Sequence, residues 1–145
     1  MAMRFYAITF LLLMSACADP SKKPVCTIKI GDAAWQMEVA KTENEREKGL
    51  MFRHYLPEES GMVFAFAKPR NVAMWMQNTY ISLDIVFVNE HLVVSNIEKN
   101  AKPLSEDAIR GGGTSAYVIE LNGGQAAAKG IKAGDKLDVS KCPLL

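Results

Sequence analysis

The sequence predicts a mainly β fold of the α+β kind, a β-sandwich or partly closed barrel of about eight short strands with two short helices. Short runs alternate apolar and polar residues with period two, as half-buried strands do. Gly, Pro, Asn and Asp clusters separate those runs at close, regular spacing. Helical signals are confined to two brief stretches, which argues against a parallel α/β sheet with its long crossover helices.

Taken in order, Val25–Ile30 alternates and ends at the turn signal Gly31-Asp32. Trp35, Met37 and Val39 alternate again as its hairpin partner. Thr42 with Glu45 forms a capping box, and Glu43, Glu45 and Glu47 place acids where a helix dipole favours them. Gly49 is the expected stop in a left-handed cap. Pro57 and Ser60-Gly61 mark a loop before strands at 62–66 and 72–76, which Lys68-Pro69-Arg70-Asn71 divides as a turn. Residues 83–88 and 92–97 read as a hairpin around Asn89-Glu90-His91. Pro103 breaks the following stretch, and Gly111-Gly112-Gly113 reads as a flexible or bulged loop. A strand at 116–121 leads through Asn122-Gly123-Gly124 into a short helix at Ala126, Ala127 and Ala128. Gly134-Asp135 then turns into a last strand at 136–139.

The chain of 145 residues is of one-domain length, and its 49% hydrophobic and 23% charged residues are ordinary globular values. A formal charge of +1 supplies no basic footprint of the kind that offsets nucleic-acid phosphates. Residues 1–18 read as a removed export signal. Arg4 is the positive start, 5–14 the apolar run, and Ser15, Ala16 and Ala18 the small residues at its end. Met14-Ser15-Ala16-Cys17 resembles a lipoprotein signal with Cys17 as the lipidated residue. Ala16-Cys17-Ala18 also permits ordinary cleavage before Asp19. The lipoprotein reading is preferred, because residues 19–24 suit a solvated tether and a chance cysteine at that spot is uncommon. Ala18, rather than an aspartate, follows the cysteine and points to the outer membrane. A domain spanning 25–142 remains, expected as a monomer either held on the periplasmic side of that membrane or free in the periplasm.

Cys26 and Cys142 then lie at opposite ends of that domain. In an oxidising compartment an isolated pair tends to close, so a disulfide is expected. The wide spacing and the two lone histidines resemble no zinc framework.

Several blocks carry a resemblance. Gly49-Leu50-Met51-Phe52-Arg53, Leu56-Pro57 and Gly61-Met62-Val63-Phe64-Ala65-Phe66 are similar to the opening of the DUF192 family of bacterial and archaeal proteins. Trp75-Met76-Gln77-Asn78-Thr79 with Leu83-Asp84-Ile85-Val86-Phe87 resembles its central motif. Glu120, Gly124, Gly130 and Gly134-Asp135 resemble its tail. The resemblance covers roughly residues 39–140 and implies a jelly-roll-like β-sandwich, without implying a reaction. Gln77 stands where the family often has Lys, which removes a cationic contact there.

Asp84 interrupts an apolar run and Glu120 interrupts an apolar strand, and a carboxylate in such a place is costly to bury unpartnered. Asp84 could lock a loop by accepting backbone N–H groups, or serve a ligand with Arg53 as its opposite charge. Period two places Glu120 on one face with Val118. Arg53, His54, Lys68 and Arg70 read as a solvated basic face or an anion-binding rim. The sequence carries no nucleophile elbow, phosphate loop, zinc motif or dinucleotide fingerprint. The leading expectation is a non-enzymatic envelope domain, without a cofactor or a resident metal. It would bind a small molecule or envelope glycan in a cleft of Arg53, Trp75, Asn78, Thr79, Asp84 and Glu120. The rivals are a glycan hydrolase using Asp84 and Glu120 as acid and base, a structural accessory protein, and Cu(I) binding through Met62, Met74, Met76 and His54. For the methionines, ordinary core packing is the simpler expectation.

Overall fold

The structure, a computed structural model, describes residues 25–143 and 145. The expected signal at 1–18, Cys17 and the tether at 19–24 lie outside the described residues. The strands are β1 (Val25–Ile30), β2 (Ala33–Ala40), β3 (Ser60–Met74), β4 (Leu83–Val88), β5 (Val94–Ala101), β6 (Ile109–Asn122) and β7 (Leu137–Asp138). The helices are α1 (Glu43–Lys48) and α2 (Gln125–Ala128). The strands form one sheet in the order β5-β4-β6-β3-β2-β1-β7. It curls into a half-barrel, and its two edges meet at one end. There Asp135 O accepts from Val94 N at 2.8 Å, and Leu92 O accepts from Leu137 N at 2.8 Å.

The mostly β fold with two short helices is the predicted one, in its partly closed barrel form, with seven strands among the described residues rather than eight. The difference lies in β3. The run at 62–66 and the run that starts at 72 are a single strand that ends at Met74, before Trp75 and Met76, and Lys68-Pro69-Arg70-Asn71 lies inside it. Its pairing with β6 shifts register between Ala65 and Arg70 and again between Asn71 and Ala73. Such bulges accommodate Pro69, which has no N–H for a ladder. The three glycines expected as a loop belong to β6. At Gly111 a Cβ would lie 2.7 Å from the Phe87 ring, so a side chain there would displace the ring. The second arm of the predicted hairpin runs on to Ala101, and its exposed Ser95, Asn96, Glu98, Lys99 and Asn100 suit a strand at an edge.

Two cores occupy the two faces of the sheet. One gathers Ile28, Trp35, Met37, Val63, Val86, Ile119 and Ala126. The other gathers Leu50, Leu56, Met62, Phe64, Met76, Ile85, Phe87 and Val118. All six residues of β4 are therefore buried. Met62 and Met76 are 0% exposed within that second core, where the flexible thioether fills space. At the ends of the domain, Cys26 and Cys142 are joined by a disulfide across a sequence separation of 116, with Cα atoms 4.8 Å apart.

Candidate functional site

Cross-strand register divides the predicted cleft residues between the two faces. Glu120 stands opposite Met62 on β3 and Ile85 on β4, and Met62 stands opposite Glu38 on β2. Directly opposed residues point to the same side, so Glu38, Met62, Glu120 and Ile85 form one row. Asp84 faces Leu121 and therefore points the other way.

Asp84 is fully buried, as its apolar strand predicts, but neither Arg53 nor the Asn78-Thr79 segment is its partner. Its Oδ1 accepts from Asn100 N at 2.8 Å and Gly124 N at 3.0 Å, and its Oδ2 accepts from Ala126 N at 2.8 Å. The carboxylate thus supplies the start of α2 with acceptors and fixes Asn100, whose φ of 52° is left-handed. This is the loop-locking role. Asp84 does not belong to the cleft, and it cannot flank one glycosidic bond together with Glu120 on the opposite face.

Arg53 is also placed differently. Its guanidinium forks onto Glu38, Nη1 to Oε1 at 2.5 Å and Nη2 to Oε2 at 2.8 Å. Hydrogen bonding to Glu38 raises its pKa above the ordinary arginine value. Glu120 feels the Arg53 charge, which lowers its pKa, but burial dominates and pushes the carboxyl up to about 8. Glu120 is 4% exposed, and among the described residues its Oε2 has no hydrogen-bond partner. At neutral pH it is a neutral acid, able to donate one hydrogen bond and to accept others.

A cavity of about 70 Å³ lies beside it, lined among others by Arg46, Gly49, Met74, Trp75, Thr79 and Glu120. Each wall has a local cause. The capping box holds α1 in place, Thr42 Oγ1 accepting from Glu45 N at 3.2 Å and Glu45 Oε2 accepting from Thr42 N at 2.9 Å. Gly49 ends that helix at φ 45°, and a Cβ there would lie 3.2 Å from Phe64 and 3.7 Å from Glu120 Oε2. Glycine therefore keeps this wall open and the backbone conformation free of strain. Arg46 turns back under the helix, donating to Ala65 O at 2.9 Å, to Glu43 Oε2 at 2.6 Å and to Lys41 O. Its Nε is buried without a partner among the described residues.

Beside the cavity lies an outer groove of about 180 Å³, which shares Arg46, Phe64, Met74 and Trp75 with it and adds Glu43 and Arg70. Trp75 is 50% exposed, an unusual state for so large an apolar ring. Arg46 and Arg70 lie over the Phe66 ring at 5.3 and 4.8 Å. Beyond Trp75, Met76 O accepts from Thr79 N at 3.1 Å, and Asn78 O accepts from Phe52 N at 2.8 Å. Asn78 and Phe52 both hold positive φ, 54° and 64°, backbone strain of the kind that gathers at functional sites.

Of the six predicted cleft residues, the structure brings Trp75, Thr79 and Glu120 to one cavity. Arg53 sits near Glu120 but is taken by Glu38, and Asn78 serves the neighbouring turn through its backbone. Sequence reasoning missed Arg46 and Glu38. The Gly49 stop was visible, but its place against Glu120 was not.

Comparison with known proteins agrees with this architecture. The DUF192 profile, described as Uncharacterized ACR, matches residues 26–139. The chain belongs to the DUF192 family. A crystal structure of a Novosphingobium aromaticivorans protein of unknown function is similar at 38% identity and a TM-score of 0.79, over 83% of this chain and 89% of that one. A Sinorhizobium meliloti protein, provisionally labelled a transcription regulator, is similar at 35% identity and a TM-score of 0.77, over 80% of this chain and 94% of that one. No curated protein matches the chain.

Proposed function

We propose that this DUF192 chain is an exported cell-envelope domain that binds a small ligand, without catalysis, in the groove between α1 and β3, with Glu120 as the anchor. The observation that carries this reading is the buried Oε2 of Glu120, which has no hydrogen-bond partner among the described residues and lies beside an open cavity. A buried polar atom without a hydrogen bond costs roughly 1–3 kcal/mol, and a site that uses the atom on a ligand accounts for keeping it. Export rests on the signal pattern at 1–18, and the Cys26–Cys142 bridge suits an oxidising compartment. The near balance of 17 basic and 16 acidic residues speaks against nucleic acid as the partner.

Native mass spectrometry of the protein purified from its own cells tests the reading. The expected result is a small-molecule adduct that is absent from Glu120→Ala. A bare wild-type mass, or an adduct that survives the substitution, would contradict it.

A further inference from the structure

We propose that the occupant of this groove is an uncharged sugar unit of a glycan, its ring stacked on Trp75 and its hydroxyls reaching the buried Arg46 Nε and Glu120 Oε2. The inference rests on the binding reading above and names its ligand class.

Two orphaned polar atoms define the chemistry. Arg46 Nε can only donate, whereas the Glu120 carboxyl can take part as donor or acceptor. A hydroxyl both gives and accepts, so a polyhydroxylated ligand satisfies both without adding charge. The surrounding arginines already have carboxylate partners, although Arg46 and Arg70 share the one carboxylate of Glu43. Arg46 meets Glu43 at 2.6 Å, Arg70 meets Glu43 at 3.7 Å and Arg53 meets Glu38 at 2.5 Å. Glu47 and Lys48, which also line the inner cavity, are exposed and of opposite sign. An added anion would find its cations engaged.

Size points the same way. One water needs about 10–15 Å³ of such space, so the inner cavity of about 70 Å³ takes a few water-sized groups, such as hydroxyl arms. The ring must then lie in the outer groove, where Trp75 offers an aromatic face and the Phe66 face is occupied by two guanidinium groups. Both spaces fall below the roughly 300–1,000 Å³ of an ordinary ligand pocket, which fits one unit of a longer chain held at an open groove.

Isothermal titration calorimetry on the exported domain separates the possibilities. The probes are neutral chito- and cello-oligosaccharides of one to four units, with glucuronic acid and glucose 6-phosphate beside them. The expected result is binding of a neutral oligosaccharide, weakened roughly ten- to a hundredfold by Trp75→Ala and by Arg46→Lys, which keeps the charge and removes Nε. Trp75 lies at the surface, so its variant is expected to fold even if the Arg46 variant does not. Binding of only the acidic or phosphorylated sugars, lost in the same variants, would overturn the sugar class while leaving the groove in place. Equal binding of neutral sugars by wild type and Trp75→Ala would overturn the placement. A wild-type protein with a Glu120-dependent adduct that binds none of these sugars would likewise overturn the class alone.

Discussion

Glu120 links the site to the stability of the whole domain, and Glu120→Gln isolates that link. Burial raises the Glu120 pKa from 4.5 to about 8. The unfolded chain releases this proton near 4.5, whereas the folded chain keeps it until about pH 8. Between those values the native state holds one more proton than the unfolded state, so stability falls as pH rises across this window and levels off above it. At about 1.4 kcal/mol for each pH unit, the loss over the whole window is on the order of 5 kcal/mol. Glutamine keeps the shape and cannot ionise, so its variant lacks this slope and gains on wild type as pH rises. The assay is urea unfolding at pH 5, 6, 7 and 8. With an m value of roughly 1–3 kcal/mol per molar urea, the wild-type midpoint should fall by on the order of 2 M, while the variant stays nearly level. Glu43 and Asp138 do not interfere. Their pKa values are lowered, chiefly by hydrogen bonds from Arg46 and Ser140, so they add stability above the usual carboxylate range and lose it only as pH falls below that range. Parallel wild-type and variant curves from pH 5 to 8 would refute the reasoning, because they would mean an ionised Glu120 held by Arg53.

Asp84→Ala removes the acceptor of three backbone N–H donors, those of Asn100, Gly124 and the buried Ala126, and should cost roughly 1–3 kcal/mol, chiefly through the buried donor. Asp84→Asn, which turns one acceptor into a donor, should cost less, and chemical denaturation orders the two. Replacing Cys26 and Cys142 together by serine opens a closure spanning 116 residues and should cost roughly 5 kcal/mol by the chain-entropy relation. Thiol titration of the denatured exported protein without reductant should find neither cysteine free. Cys17→Ser should release the protein from membranes and abolish palmitate labelling; wild type already soluble in the periplasm would contradict lipidation.

What the sequence revealed was mostly local. The capping box of Thr42 and Glu45 is complete because its partners are three residues apart. Strand β4 betrayed its burial on both faces, and with it the burial of Asp84. The donors to Asp84 were hidden, since they arrive from 16, 40 and 42 residues away through β5 and the start of α2. Glu38 was invisible as the Arg53 partner because only the parallel pairing of β2 with β3 places it in the Met62–Glu120 row. Nothing local in the sequence singled out Arg46. Ala65 O and Phe66, contributed by β3, draw it into the groove. Pro69 looked like a turn because a bulge inside a long strand uses the same residues as the end of a short one.

The most direct test of ligand anchoring at Glu120 is a crystal structure of the domain purified from its own cells without stripping, grown near pH 6. The predicted result is ligand density over Trp75, with polar atoms within hydrogen-bond distance of Glu120 Oε2 and Arg46 Nε. A cavity holding only water, with the ligand bound elsewhere on the domain, would contradict it.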